Sequence, residues 1–274
     1  WSSDVCSSDL KVVKLFTGLN EYQSMKYISI FSTLIMTLLF FITFFFQKNF
    51  LQFIWIPLVF FSQFLFLAKL MTPDAITALL FLISVMFLVK NKLYTSYLLM
   101  ALTLSFRPDM IVAAGLAGLL PLINKDFRMP IFNSVIFLSI YFLISASISH
   151  NGWWSHFYTS LVSTQSNLNL FDPSFDLNKY FEILIGNTLW VLNDINYIVW
   201  FSLTFIIIFM SAYFVLEKKS QWINLIALSL SVAIIIKFII FPKVDSRVYL
   251  AILVPAIYAF SLNSLNLRER IDSK

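Results

Sequence analysis

From Tyr27 to Phe46 the chain carries no charged side chain, and that single run limits what it can fold into. The run matches the roughly 20 residues a helix needs to cross a hydrocarbon core. In lipid every backbone N–H and C=O must be satisfied within the protein, so such a run is a spanning helix or the centre of a helical bundle. Comparable runs follow at 50–68, 130–148, 196–216, 222–241 and 248–262. Only 12% of the residues are charged and 59% are hydrophobic, whereas a soluble domain holds roughly 25% charged residues. The sequence therefore predicts an all-α, polytopic transmembrane helix bundle. A net charge of +5 without a dense Lys/Arg block excludes a nucleic-acid partner.

Two shorter runs, 75–89 and 93–106, make a membrane hairpin turning at Lys90-Asn91-Lys92. Runs of about 14 residues are too short for an ordinary span and are commonly re-entrant or buried in a bundle. A Pro-Asp pair stands at each open end: Thr72-Pro73-Asp74 and Arg107-Pro108-Asp109. Both pairs are thus expected on one membrane face. Asp74 fits a helix start, with Thr72 as N-cap, Pro73 at the first helical position and the acid in the first turn. Arg107 is a poor cap between two apolar runs. It is expected to pair with Asp74 or Asp109, or with an anionic ligand. The next run, 110–123, carries Ala114, Gly115 and Gly118, small residues that let helices approach closely.

Lys11–Lys26 is amphipathic and suits an interfacial helix ahead of the first span. Trp1–Leu10 resembles the translation of a short-read sequencing adapter and is set apart from the fold, as a tag would be. The single cysteine, Cys6, goes with it, so no disulfide or thiol chemistry enters. The authentic N-terminus is then expected upstream, and 11–274 forms one transmembrane domain.

Alternating spans give about nine membrane segments, two of them short. The basic residues orient them: Lys48, Lys90, Lys92, Lys125, Arg128, Lys218, Lys219 and the Arg268–Lys274 tail share one side, read as cytoplasmic. The outer side receives both Pro-Asp pairs, the segment 149–195 and the loop Pro242–Arg247. That segment contains an aromatic helical stripe from Trp153 to Val162. A second amphipathic stretch runs from Leu177 to Leu192, with Asp176 as N-cap. The pair either roofs a site or forms an aromatic belt at headgroup level. His156 lies on the polar side of the first stretch. It is read as a solvated interfacial residue or as a phosphate-binding or acid–base group. A divalent metal held by His156, Asp172 and Asp176 has no tight ligand spacing behind it, so no cofactor is assigned. Lys69, Arg107, Lys237, Lys243 and Arg247 all fall on the outer side, with Lys237 expected to snorkel there. A phosphate or diphosphate group would explain these cations, and so would pairing with Asp74, Asp109 and Asp245.

Met71–Ile83, the basic turn and Leu102–Asp109 resemble the middle helices of GT-C-fold integral membrane glycosyltransferases. Ser246–Pro255 resembles the Arg-aromatic-x-x-x-Pro stretch that opens a late helix in many of them. The likeness covers roughly residues 11 to 262 through short motifs. It implies sugar transfer from a polyprenyl-phosphate donor to a lipid, glycan or protein acceptor on the non-cytoplasmic face, in a bacterial inner membrane. It further implies that Asp74 and Asp109 shape the site and that Arg107 and Arg247 contact donor phosphate, with Lys243 and His156 beside them. The family's catalytic acid belongs to an early outer loop, which would precede Lys11, so no residue here takes that role. An O-antigen polymerase or ligase would also handle lipid-linked glycans. A transporter or flippase would place charges near the midplane, often with repeats, and no repeat is detectable. A purely structural subunit is the remaining reading.

Overall fold

The computed structural model describes residues 21–44, 67–68, 73–148, 177–217, 221–240 and 246–272. Among these, every regular element is helical. In chain order they are α1 (Glu21–Phe44), α2 (Asp74–Val89), α3 (Leu93–Phe106), α4 (Ile111–Leu119), α5 (Arg128–Ile148), α6 (Leu177–Asn193), α7 (Ile195–Leu216), α8 (Gln221–Ile240) and α9 (Ser246–Asp272). Short 3-10 turns at Pro108–Met110 and Leu120–Asn124 flank α4. The stretches 1–20 and 50–66, the first helix of the 149–195 segment, and Asp245 lie outside the described residues.

The bundle is built around α9. From Tyr249 to Ser261 every residue is buried, so this part of the helix is enclosed on all sides. It packs against α2, α7 and α8, while α2 also contacts α1 and α3. The perimeter shows the reverse pattern. Phe31, Leu34 and Leu38 of α1, Ile131 and Val135 of α5, and Phe205, Ile206 and Phe209 of α7 are large, apolar and exposed. Polar backbone hidden inside and hydrocarbon turned outward is the arrangement lipid requires. Gln23–Phe44, Tyr197–Leu216 and Gln221–Ile240 are each long and apolar enough to cross a membrane. Shorter apolar helices occupy 74–89, 93–106, 111–124, 128–140 and 249–262. The chain is an integral membrane protein.

The hairpin forms as its sequence predicts. Asn91 takes a left-handed φ of 57°, a conformation Asn tolerates better than most residues, and this reverses the chain between α2 and α3. Ser96 Oγ donates to Ser84 O at 2.8 Å, fastening the two helices below the turn. The short α2 is buried in the bundle, touching α1, α3 and α9. Trp222 Nε1 donates to Leu88 O at 2.9 Å, so the start of α8 meets the end of α2 and the two helices run antiparallel.

Several boundaries differ from expectation. Residues 21–26 are no separate interfacial helix, because α1 continues unbroken through Lys26 and Tyr27. No Gly or Pro stands there to interrupt it. The α-helical part of 110–123 is only Ile111–Leu119, since Pro121 starts a 3-10 turn. Of its small residues, Gly118 permits close approach: a Cβ there would collide with the Asn133 amide of α5. A Cβ at Gly115 would meet nothing within 4 Å. The last helix runs on to Asp272, beyond the expected end at Leu262.

Candidate functional site

The chain ahead of α4 is shaped by Pro108. A residue preceding proline is pushed out of the helical region, and Arg107 accordingly ends α3 in an extended conformation, φ −145° and ψ 97°. Its N–H still donates to Thr103 O at 2.9 Å. Residues 108–110 then turn back on it, with Met110 N donating to Arg107 O at 3.1 Å. This places Arg107 and Asp109 side by side. Nε donates to Asp109 Oδ1 and Nη2 to Oδ2, each at 3.0 Å. The guanidinium thus grips the carboxylate with two parallel bonds, the strongest geometry available to such a pair.

Asp74 joins from the start of α2. It stands directly after Pro73, which holds the N-cap position without a side-chain cap hydrogen bond, while the expected cap Thr72 lies outside the described residues. Its carboxylate forms an ion pair with Arg107 Nη1 instead. The expected pairing of Arg107 with Asp74 or Asp109 is therefore both at once.

The fourth member is Lys237 of α8, whose Nζ lies 2.9 Å from Asp109 Oδ2. The sequence predicts that this lysine snorkels to the outer face. It is fully buried instead. A buried charge with a partner at hydrogen-bond distance has no need to reach water. Side-chain exposure across the quartet is 4% for Asp74, 9% for Arg107, 0% for Lys237 and 17% for Asp109. Two anions and two cations compensate one another. Burial alone would raise the Asp109 carboxyl, but the Arg107 guanidinium and Lys237 ammonium outweigh it and hold the group well below the usual carboxylate range.

Further elements converge on this end of the bundle. The Tyr180 hydroxyl near the start of α6 donates to Ile239 O in the last turn of α8. At the other end of α6, Trp190 stacks edge-on against Tyr197 of α7, with centroids 5.0 Å apart. Both ends of α6 are thus tied to the first turn of α7 and the last turn of α8. Phe181, Ile185, Leu189 and Leu192 form an exposed apolar stripe, beside the exposed Glu182 and Asn193. That pattern suits a helix lying in a membrane interface. Phe201, Phe238 and Tyr249 pack as an aromatic cluster at 5.3–6.2 Å beneath it.

Of the residues singled out from the sequence, the structure brings Asp74, Arg107 and Asp109 together. Arg247 lies in the first turn of α9. His156, Lys243 and Lys69 lie outside the described residues, as do Asp172 and Asp176. Among the described residues no three His, Cys, Asp or Glu side chains group as metal ligands. Lys237 stood outside the primary candidates, although a charge inside the run Ile234–Ile240 was the signal for it. No family model, curated protein or solved structure matches the chain.

Proposed function

We propose that this chain belongs to a membrane glycosyltransferase that moves a sugar from a polyprenyl-phosphate donor to a lipid, glycan or protein acceptor. The observation carrying the reading is the gathering of Asp74, Arg107, Asp109 and Lys237 at one end of an apolar bundle. Ionisable groups are costly in such surroundings and mark functional sites. The resemblance of the two Pro-Asp segments to GT-C enzymes supplies the reaction class. In this reading the quartet end faces the periplasm or cell exterior, and about nine membrane segments surround it. A carboxylate activates the acceptor hydroxyl, and cations stabilise the departing lipid phosphate, giving inversion at the sugar. Asp74 and Asp109 shape the floor of the site. His156, Lys243 and Arg247 are the further substrate-binding residues of this reading.

The test is turnover of a polyprenyl-phosphate-linked sugar in liposomes by the protein expressed from its natural gene. Arg107→Ala should lower turnover by about 100-fold or more, the scale of losing one charge-stabilising group, with membrane insertion unchanged. Unaltered turnover would remove Arg107 from the site.

A second reading, a transporter or flippase, draws on one observation: Lys237 is fully enclosed and ion-paired inside the bundle, as in intramembrane proton relays. Proton flux or lipid scrambling by the protein in sealed vesicles, without sugar transfer, would favour it.

A further inference from the structure

We propose that the Asp109 carboxylate is an internal stand-in for a phosphate-bearing ligand, closing a two-cation anion site that opens by exchange. Oδ2 of Asp109 receives both Arg107 Nη2 at 3.0 Å and Lys237 Nζ at 2.9 Å, while Oδ1 receives Arg107 Nε at 3.0 Å. A guanidinium fork and an ammonium meeting at one oxygen form the constellation that recognises a phosphate oxygen as readily as a carboxylate. Asp109 is also the most exposed member, at 17%, and sits on a three-residue turn rather than within a long helix. The carboxylate is therefore the least enclosed member and has a short tether, while Arg107 behind it is held by Asp74. Asp74 stays on the far side of Arg107. When a phosphate monoanion replaces the Asp109 carboxylate, the released group enters water and the charge of the site is unchanged. The ligand class is a phosphate group carrying one negative charge, as in a phosphodiester or the singly ionised form of a monoester. Its assignment to a lipid-linked sugar rests on the function proposed above, whereas the exchange itself does not.

Binding separates the two. The full-length protein in phosphatidylcholine nanodiscs would be titrated with inorganic phosphate, and separately compared in nanodiscs containing phosphatidic acid, reading the shift in thermal unfolding. Asp109→Asn removes the competitor, so apparent affinity should rise on the order of tenfold, as expected when the competent form of the wild type is populated near one tenth. A gain with phosphatidic acid alone identifies a lipid headgroup site, and a gain with both identifies a general phosphate site. Asp109→Glu keeps the charge but cannot reproduce the two-bond grip, and should show a smaller gain even if Asp109→Asn fails to fold. No gain in either variant overturns the exchange. Phosphate binding without sugar turnover upholds the exchange and sinks the glycosyltransferase reading instead.

Discussion

The two ends of the α2–α3 hairpin treat charge in opposite ways. At the turn, Lys90 and Lys92 are exposed, as are Lys125 and Arg128 at the connection between α4 and α5. The helix contact at that end, Trp222 to Leu88, is a neutral hydrogen bond. At the open end, Asp74, Arg107 and Lys237 are buried and locked to one another and to Asp109. Basic residues of the first kind set orientation from water and need no partner. Those of the second kind are tolerated only because each is paired. The same residue types thus serve topology at one end and tertiary structure at the other.

The contrast is sharpest under substitution. Arg107→Ala removes the cation shared by Asp74 and Asp109, leaving two carboxylates with one ammonium beside Asp109. It should cost about 3–5 kcal/mol, the range for breaking a buried ion pair, read by chemical unfolding in detergent. Acid tests the same end without mutation. The folded-state pKa of Asp109 lies below its unfolded value, so its stabilising contribution is full above the ordinary carboxylate value near 4. That contribution fades as pH falls further toward the folded value. The melting temperature should hold from pH 8 to 5 and drop below about pH 4, with a smaller drop in Lys237→Met.

Smaller effects mark the neutral packing. Gly118→Ala forces the Asn133 amide aside and should cost about 1–3 kcal/mol, as overpacking does. Gly115→Ala, three residues away in the same helix, meets open space and should be neutral or stabilising by up to about 1 kcal/mol. Equal losses at both positions would show that close approach at Gly118 is not what packs α4 on α5. Last comes Lys90→Ala at the exposed turn, where unfolding should move by no more than about 0.5 kcal/mol.

Much of this was legible in the residues. Apolar runs, the Lys90–Lys92 turn and the two prolines locate α2 and α3 closely, because each boundary has a local chemical cause. Pro108 ends α3 at the residue before it, and Asn91 carries the reversal. The pairing of Arg107 with its neighbouring acids follows from the cost of a lone charge among hydrocarbon. What the sequence could not show was which distant helix supplies the fourth charge. Lys237 is 128 residues beyond Asp109, and only the packing of α8 against α4, with a smaller contact to α2, brings it there. The break expected at Lys26 failed for a different reason: an amphipathic pattern passing into an apolar one marks a change of surroundings, not of backbone. Gly115 and Gly118 look alike in sequence, and only the position of Asn133 distinguishes them.

A double-mutant cycle on Asp109→Asn and Lys237→Met bears most directly on the buried quartet, measured as unfolding free energy in one detergent at pH 7. Because the two groups share a contact at 2.9 Å, the double variant should be more stable than the sum of the single losses implies. The coupling should fall in the upper part of the roughly 0.5–3 kcal/mol span found for interacting neighbours. Additive losses would mean that Lys237 and Asp109 do not meet, and the quartet would not exist as described.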